Sequence, residues 1–193
     1  MSLVLVQMHG FPGTGKSTLA RALGRALPAV VIDKDVIASA LIRHGIPFGD
    51  AGAPAYQVMY AQAARFLSDG QSVVFDSPCF WPQIEQNTRR VAGSAGASWV
   101  MIETRCEDEL RDARLRARDR LESNPITLPG RRPGMYDPEC ERLILDTSRP
   151  AVDLADEAIA YVRARTLTPR PPLPTPVSRE RGSLRAGTPG ASR

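Results

Sequence analysis

Residues 8–20 read MHGFPGTGKSTLA: three glycines and a proline stand ahead of a lysine, a serine and a threonine, directly after an apolar run. The core of the stretch, GFPGTGKS, fits the spacing G-x-x-x-x-G-K-[ST] through Gly10, Gly15, Lys16 and Ser17, with Gly13 adding a further flexible position. Glycines let the backbone enter left-handed conformations and curl, so that successive N–H groups point inward at an anion. A helix starting near Lys16 adds the positive end of its dipole to the same point. Lys16 is then placed to reach the β- and γ-phosphates of a nucleotide, and the Ser17 hydroxyl to ligate Mg2+. Thr14 and Thr18 complete the expected nucleotide contacts. The bare backbone is read as the anion receptor, and Lys16 as its mobile charge.

Outward from this unit, short β-branched runs alternate with longer helical patterns, the arrangement of a parallel sheet with crossover helices. Strands are expected over Leu3–Met8, Ala29–Ile32, Ser72–Phe75, Ser98–Glu103 and Arg142–Leu145. Helices are expected over Lys16–Leu27, Tyr56–Leu67, Ile84–Ala92, Glu107–Glu122 and Val152–Arg163. The fold class is α/β. Residues 1–165 form one domain, with a lid at about 107–137. From Thr166 onward, TLTPRPPLPTPVSRERGSLRAGTPGASR has no apolar periodicity and reads as a disordered tail over 166–193.

A chain of 193 residues with 42% hydrophobic content has room for one full core. No apolar stretch reaches bilayer length, and the first residues lack a secretory pattern, so a cytoplasmic location is expected. Cys79, Cys106 and Cys140 are widely spaced and read as reduced, ordinary residues. Two histidines and no paired cysteines suggest no zinc site. The net charge of +4 resides in the tail, where five arginines face one acid, leaving residues 1–165 neutral. A basic domain surface for nucleic acid is therefore not favoured.

Candidate chemistry sits after the strands. VIDKDVI places Asp33 and Asp35 at a carboxyl edge, where open parallel sheets bind ligands. A carboxylate there can accept the proton of an attacking hydroxyl, and we read Asp35 as that base with Asp33 in support. The alternative gives both to helix capping and solvation. VVFDSP leaves Asp76 at the same edge, as a magnesium-site residue or as a turn residue. In EDELRDARLRARDRLE, Glu107 with Arg111 and Asp112 with Arg116 make ordinary i,i+4 pairs. Arg114 and Arg118 instead stack on one face without an acid before them, an arrangement that suits an anion between them. Residues 121–137 then read as a flap over the phosphates. Arg43 and Tyr56, with Gln57, Tyr60, Phe80 and Trp81, are candidate contacts of the acceptor pocket, with core or surface roles as the alternative.

The phosphate loop, the Asp-x-Asp after strand two, FLSDGQSVVFDSP around strand three, LRDARLRAR in the lid and LILDTS at strand five together resemble small stand-alone P-loop kinases of the AAA-family ATPase group. Relatives of that group include chloramphenicol phosphotransferase, gluconate kinase, zeta toxins and the kinase domains of polynucleotide kinases. The resemblance covers residues 1–163. It implies a nucleoside-kinase-like five-stranded parallel sheet with helices on both faces, use of ATP with Mg2+, and catalytic arginines in a small helical lid. By position, Asp35 looks like the acceptor-activating carboxylate, Arg114 and Arg118 like lid arginines, and residues 146–148 like the turn near adenine. Asp-Ser-Pro-Cys departs from the more usual Asp-Ala-Thr after strand three. The implied activity is γ-phosphoryl transfer from ATP to a hydroxyl of a small molecule. Alternatives are a polynucleotide 5′-hydroxyl kinase and an ATPase or nucleotide switch.

Overall fold

The computed structural model describes residues 2–117 and 136–166. In chain order these form β1 (Val4–His9), α1 (Lys16–Ala26), β2 (Ala29–Asp33), α2 (Lys34–Arg43), α3 (Gly52–Ser68), β3 (Ser72–Asp76), α4 (Pro82–Ser94), β4 (Ser98–Arg105), α5 (Asp108–Ala117), β5 (Leu143–Asp146) and α6 (Ala151–Thr166). The five strands make one sheet in the order β2-β3-β1-β4-β5, and every pairing is parallel. This is the expected five-stranded α/β architecture.

Strand β1 is buried along its whole length because helices cover both faces of the sheet. Successive side chains on a strand point to opposite faces. Val4, Val6 and Met8 accordingly join Leu19, Ala20 and Leu23 of α1 and Leu154, Ala158 and Val162 of α6. Leu5 joins the other layer, where Met59, Ala63 and Leu67 of α3 meet Ile84 and Ala92 of α4. The helical residues recur at three- and four-residue intervals, which keeps one stripe on the sheet.

Parallel strands bring their carboxyl ends to one edge. Pairing of β2 with β3 sets Asp33 beside Asp76. The chain leaves β1 for β2 on one side and later crosses to β4 on the other, so the crevice beyond His9 is the point where strand order reverses.

Several boundaries differ from the sequence reading. Strands β1 to β4 run one or two residues further, to His9, Asp33, Asp76 and Arg105, because main-chain pairing continues past the last apolar residue. Helix α2 follows Asp33 and buries mainly Ala38 and Ser39, too little apolar surface to show a stripe. Helix α3 starts at Gly52, before the expected Tyr56, since Ala51 and Ala55 pack on Ala38. Thr166, expected to open the tail, instead closes α6: it is buried and its hydroxyl donates to the Arg163 carbonyl at 3.0 Å. Arg118, the proposed flap at 121–137 apart from residues 136 and 137, and the tail beyond Thr166 lie outside the described residues. Among the described residues no helix is long and apolar enough to cross a membrane.

Candidate functional site

The loop between β1 and α1 is shaped by its glycines. Gly10 has φ +131°, and a Cβ there would lie 2.4 Å from the Thr104 carbonyl oxygen. Gly13 has φ +85° and sits so close to α5 that a Cβ would meet Arg111 Cγ and Leu115 Cγ at 2.9 Å. Both positions exclude a side chain twice over, by conformation and by space. Thr14 Oγ1 donates to the Phe11 carbonyl at 2.8 Å and lies 2.7 Å from Thr104 Oγ1. Lys16 is buried, and its ammonium donates to the Phe11 carbonyl at 2.7 Å, across the loop it serves. Helix α1 starts at Gly15 with no side-chain cap and no acid in its first turn. Its first N–H groups carry the helix's positive pole toward the loop.

Three carboxylates face this loop. Asp33 caps α2: its Oδ1 accepts from the N–H of Asp35 at 2.8 Å and of Val36 at 3.3 Å. Burial raises its carboxyl above the ordinary range, against those two hydrogen bonds. Asp35 pairs with the Lys34 ammonium at 2.7 Å. Asp76 is buried, and its carboxyl is pushed up to about 6, first by burial and further by Asp33 and Asp35, while Ser17 and Lys16 oppose the rise. Its Oδ2 has no hydrogen-bond partner among the described residues. A buried carboxylate oxygen left over beside a serine hydroxyl and a lysine fits a hard cation such as Mg2+, which takes oxygen ligands.

A cleft of about 1140 Å3 joins these parts. It runs from Asp33, Lys34, Asp35, Asp76 and Phe80, over Lys16, Ser17 and Thr18, to Arg114, Thr147, Arg149 and the first turns of α6. Arg114, on α5, donates from Nη1 to Thr147 Oγ1 at 2.9 Å and from Nη2 to the Thr147 carbonyl at 2.7 Å.

The structure separates the acceptor-pocket candidates. Phe80 lines the cleft, whereas Arg43 and Tyr56 do not. Arg43 closes α2 at its far end, roughly 13 Å along the helix from Lys34. Tyr56 is a core residue whose hydroxyl donates to the Pro78 carbonyl at 2.6 Å, so it fixes the loop after β3. Burial raises its phenol strongly. Arg111, read as half of a surface pair with Glu107, is buried under the phosphate loop and pairs with Asp108 at 3.3 Å and Asp112 at 3.0 Å.

Sequence reasoning missed Lys34 and Arg149, and it reached Thr147 only through the resemblance, within the turn at 146–148. A signal existed for the first, because the chain has only two lysines, Lys16 and Lys34, and both line this cleft. The contact of Thr147 with the loop, made from 133 residues away, left no local trace.

A parallel sheet of this order with a glycine loop at its switch point defines a P-loop kinase-like protein. Residues 5–132 match the family model AAA_33, an AAA domain, and the chain belongs to that family. The uncharacterized proteins Mb2027c of Mycobacterium bovis and Rv2004c of Mycobacterium tuberculosis are each 32% identical to it over 114 residues, 53% of this chain. The chain spans 22% of the length of those relatives. Among solved structures, the APS kinase CysC of Mycobacterium tuberculosis in complex with AMPPNP and APS shares the fold with a TM-score of 0.66 at 21% identity, covering 84% of this chain and 98% of that one. A gluconokinase from Sinorhizobium meliloti 1021 gives 0.60 at 18% identity, covering 86% and 94%. A sugar kinase from Janibacter sp. HTCC2649 gives 0.61 at 16%, covering 84% and 95%.

Proposed function

We propose that this protein is a kinase that transfers the γ-phosphoryl group of Mg-ATP to a hydroxyl of a small molecule. One observation carries the reading: a single cleft holds an uncapped helix start with Lys16 and Ser17 on one side and Asp35 and Asp76 on the other. Gly10, Gly13, Thr14, Gly15 and Thr18 complete the nucleotide seat, with main-chain N–H groups turned to the phosphates. Lys16 leaves the Phe11 carbonyl to meet the phosphate oxygens. Ser17 and Asp76 would hold Mg2+, which supplies charge neutralisation on the phosphates.

Asp35 takes the acceptor's hydroxyl proton, and the Lys34 ammonium at 2.7 Å holds its carboxylate in place. Asp33 supports this arrangement by capping the helix that carries Asp35. Arg114 stabilises the transferring group, in company with Arg118. Arg43 and Tyr56 act on the acceptor indirectly if at all, since neither lines the cleft. The kinases of similar fold named above act on small molecules, which favours such an acceptor over a polynucleotide.

The test is transfer of labelled γ-phosphate from Mg-ATP, offered in parallel a hydroxyl-bearing metabolite extract and 5′-hydroxyl oligonucleotides. A labelled small molecule that vanishes with Asp35→Asn supports the proposal. Label confined to oligonucleotides assigns the polynucleotide reaction, and label found only in free phosphate with every acceptor assigns an ATPase.

A further inference from the structure

Thr147 lies in the turn after β5 and is bonded to three parts of the site at once. Its N–H donates to the Arg105 carbonyl at the end of β4, at 2.8 Å. Its hydroxyl stands 3.0 Å from the Thr14 carbonyl in the phosphate loop and 3.1 Å from the Arg105 carbonyl, so its one proton goes to a main-chain oxygen. That leaves the hydroxyl's lone pairs for Arg114 Nη1 at 2.9 Å, while the Thr147 carbonyl takes Nη2 of the same guanidinium at 2.7 Å. Its methyl carbon lies 3.6 Å from where a Cβ on Gly15 would be, against the residue that starts α1.

A guanidinium has five N–H donors in one plane. Two of them on one residue fix both its position and its tilt, and the others, unmatched among the described residues, can meet an anion in the cleft that Arg114 and Thr147 line together. A free arginine side chain must lose its rotamer freedom when it grips a ligand, whereas one already held does not.

We propose that Thr147 is a positioning residue that holds the Arg114 guanidinium at the phosphate loop, so that the arginine meets the nucleotide's phosphates already oriented. This rests on the kinase reading in one respect, that the cleft takes a nucleotide. Thr147 itself touches Arg114 and the loop, and acts through them. The hydroxyl registers α5 against the loop from one side, as Gly13 does from the other by admitting Arg111 and Leu115.

The experiment is calorimetric titration of Mg-AMPPNP into the full chain and into Thr147→Val, Thr147→Ser, Arg114→Ala and the double variant Thr147→Val with Arg114→Ala. Thr147→Val is expected to weaken binding roughly tenfold, the size of a lost hydrogen bond to a charged group. Arg114→Ala weakens it at least as much, and the double variant no further than Arg114→Ala alone. Thr147→Ser restores affinity to within about threefold, because it keeps the hydroxyl. Unchanged affinity in Thr147→Val, or losses that multiply in the double variant, overturn the proposal. Should Thr147→Val not fold, Arg114→Lys takes its place: a lysine keeps the charge but cannot span both acceptors, and full affinity in that variant overturns the proposal. Binding by the unaltered chain that is lost in Lys16→Ala keeps the nucleotide reading standing even where the Thr147 cycle fails. Absence of binding by the unaltered chain overturns both.

Discussion

Helices α1 and α2 both start at the carboxyl edge of the sheet, one after β1 and the other after β2, and their first turns are built in opposite ways. Helix α1 begins at Gly15, at φ +88°, with no side chain on its first N–H groups and no acid in its first turn. Helix α2 begins at Asp33, whose carboxylate accepts from two of those groups, and carries Asp35 in its first turn. Every helix start presents orphan N–H donors and a positive pole. In α2 the chain satisfies them with its own carboxylate. In α1 the glycine supplies no side chain to do so. The same local motif is thus left open in one place and closed by the chain itself in the other; on the proposed function the open start receives the nucleotide's phosphates and the closed one carries Asp35.

Four measurements put this contrast to the test. The largest effect is expected on the closed side: Asp35→Asn lowers phosphoryl transfer by about 10²- to 10⁴-fold, the worth of a general base, while Mg-ATP affinity stays within about threefold. Steady-state kinetics beside calorimetry check it, and normal transfer by this variant removes Asp35 from the chemistry. Next, Gly15→Asp gives α1 the kind of cap that α2 has. It should reduce Mg-ATP affinity by about a hundredfold, with Gly15→Ala as the control for backbone strain at the same position. Equal losses in the two variants would mean that strain, and not the added carboxylate, empties the site.

Asp76 lies between the two helix starts and gives the third effect. Its carboxyl titrates at about 6 in the fold against 3.8 in a model peptide, so between these values the folded state binds more protons than the unfolded one. Stability in magnesium-free buffer should therefore be full below about pH 4 and fall by up to about 3 kcal/mol as pH rises through 6. Asp76→Asn flattens that curve. Urea titrations at pH 4 and pH 7 decide it, and a stability that rises with pH by the same pathway would contradict the burial argument. The smallest effect is Asp33→Ala, which uncaps α2 and costs about 1 kcal/mol, read as a lower urea midpoint. If transfer also falls in this variant while Mg-ATP affinity holds, the cap is shown to position Asp35.

The legible parts of the site share a physical character. Gly10, Gly15, Lys16 and Ser17 act through backbone conformation and spacing within eight residues, so the stretch states its own geometry. Asp33, Asp35 and Asp76 were legible as residues at strand ends, because alternation and β-branching mark where strands stop. Which of Asp33 and Asp35 caps α2 was not legible, since both positions satisfy the same preference and the outcome depends on where α2 starts. For a related reason the sequence left Arg43 and Tyr56 open between the pocket and a core or surface role. Helical periodicity shows which residues share a face, but not whether that face meets a pocket or the core, and Tyr56 turned out to brace Pro78. Arg111 carried a surface pattern of charges and was buried because Gly13 admits it.

The α/β class, the five strands and the phosphate loop were readable from the order of residues, because those follow from short-range rules: periodicity along an element and the conformations that glycine alone adopts freely. It took the packed fold to bring Lys34 beside Lys16 in one cleft, to set the Asp33 carboxylate on its helix, and to link Arg114 to Thr14 through Thr147 across 133 residues. Those contacts depend on strand order and on the docking of α5, and chain distance carries no record of either.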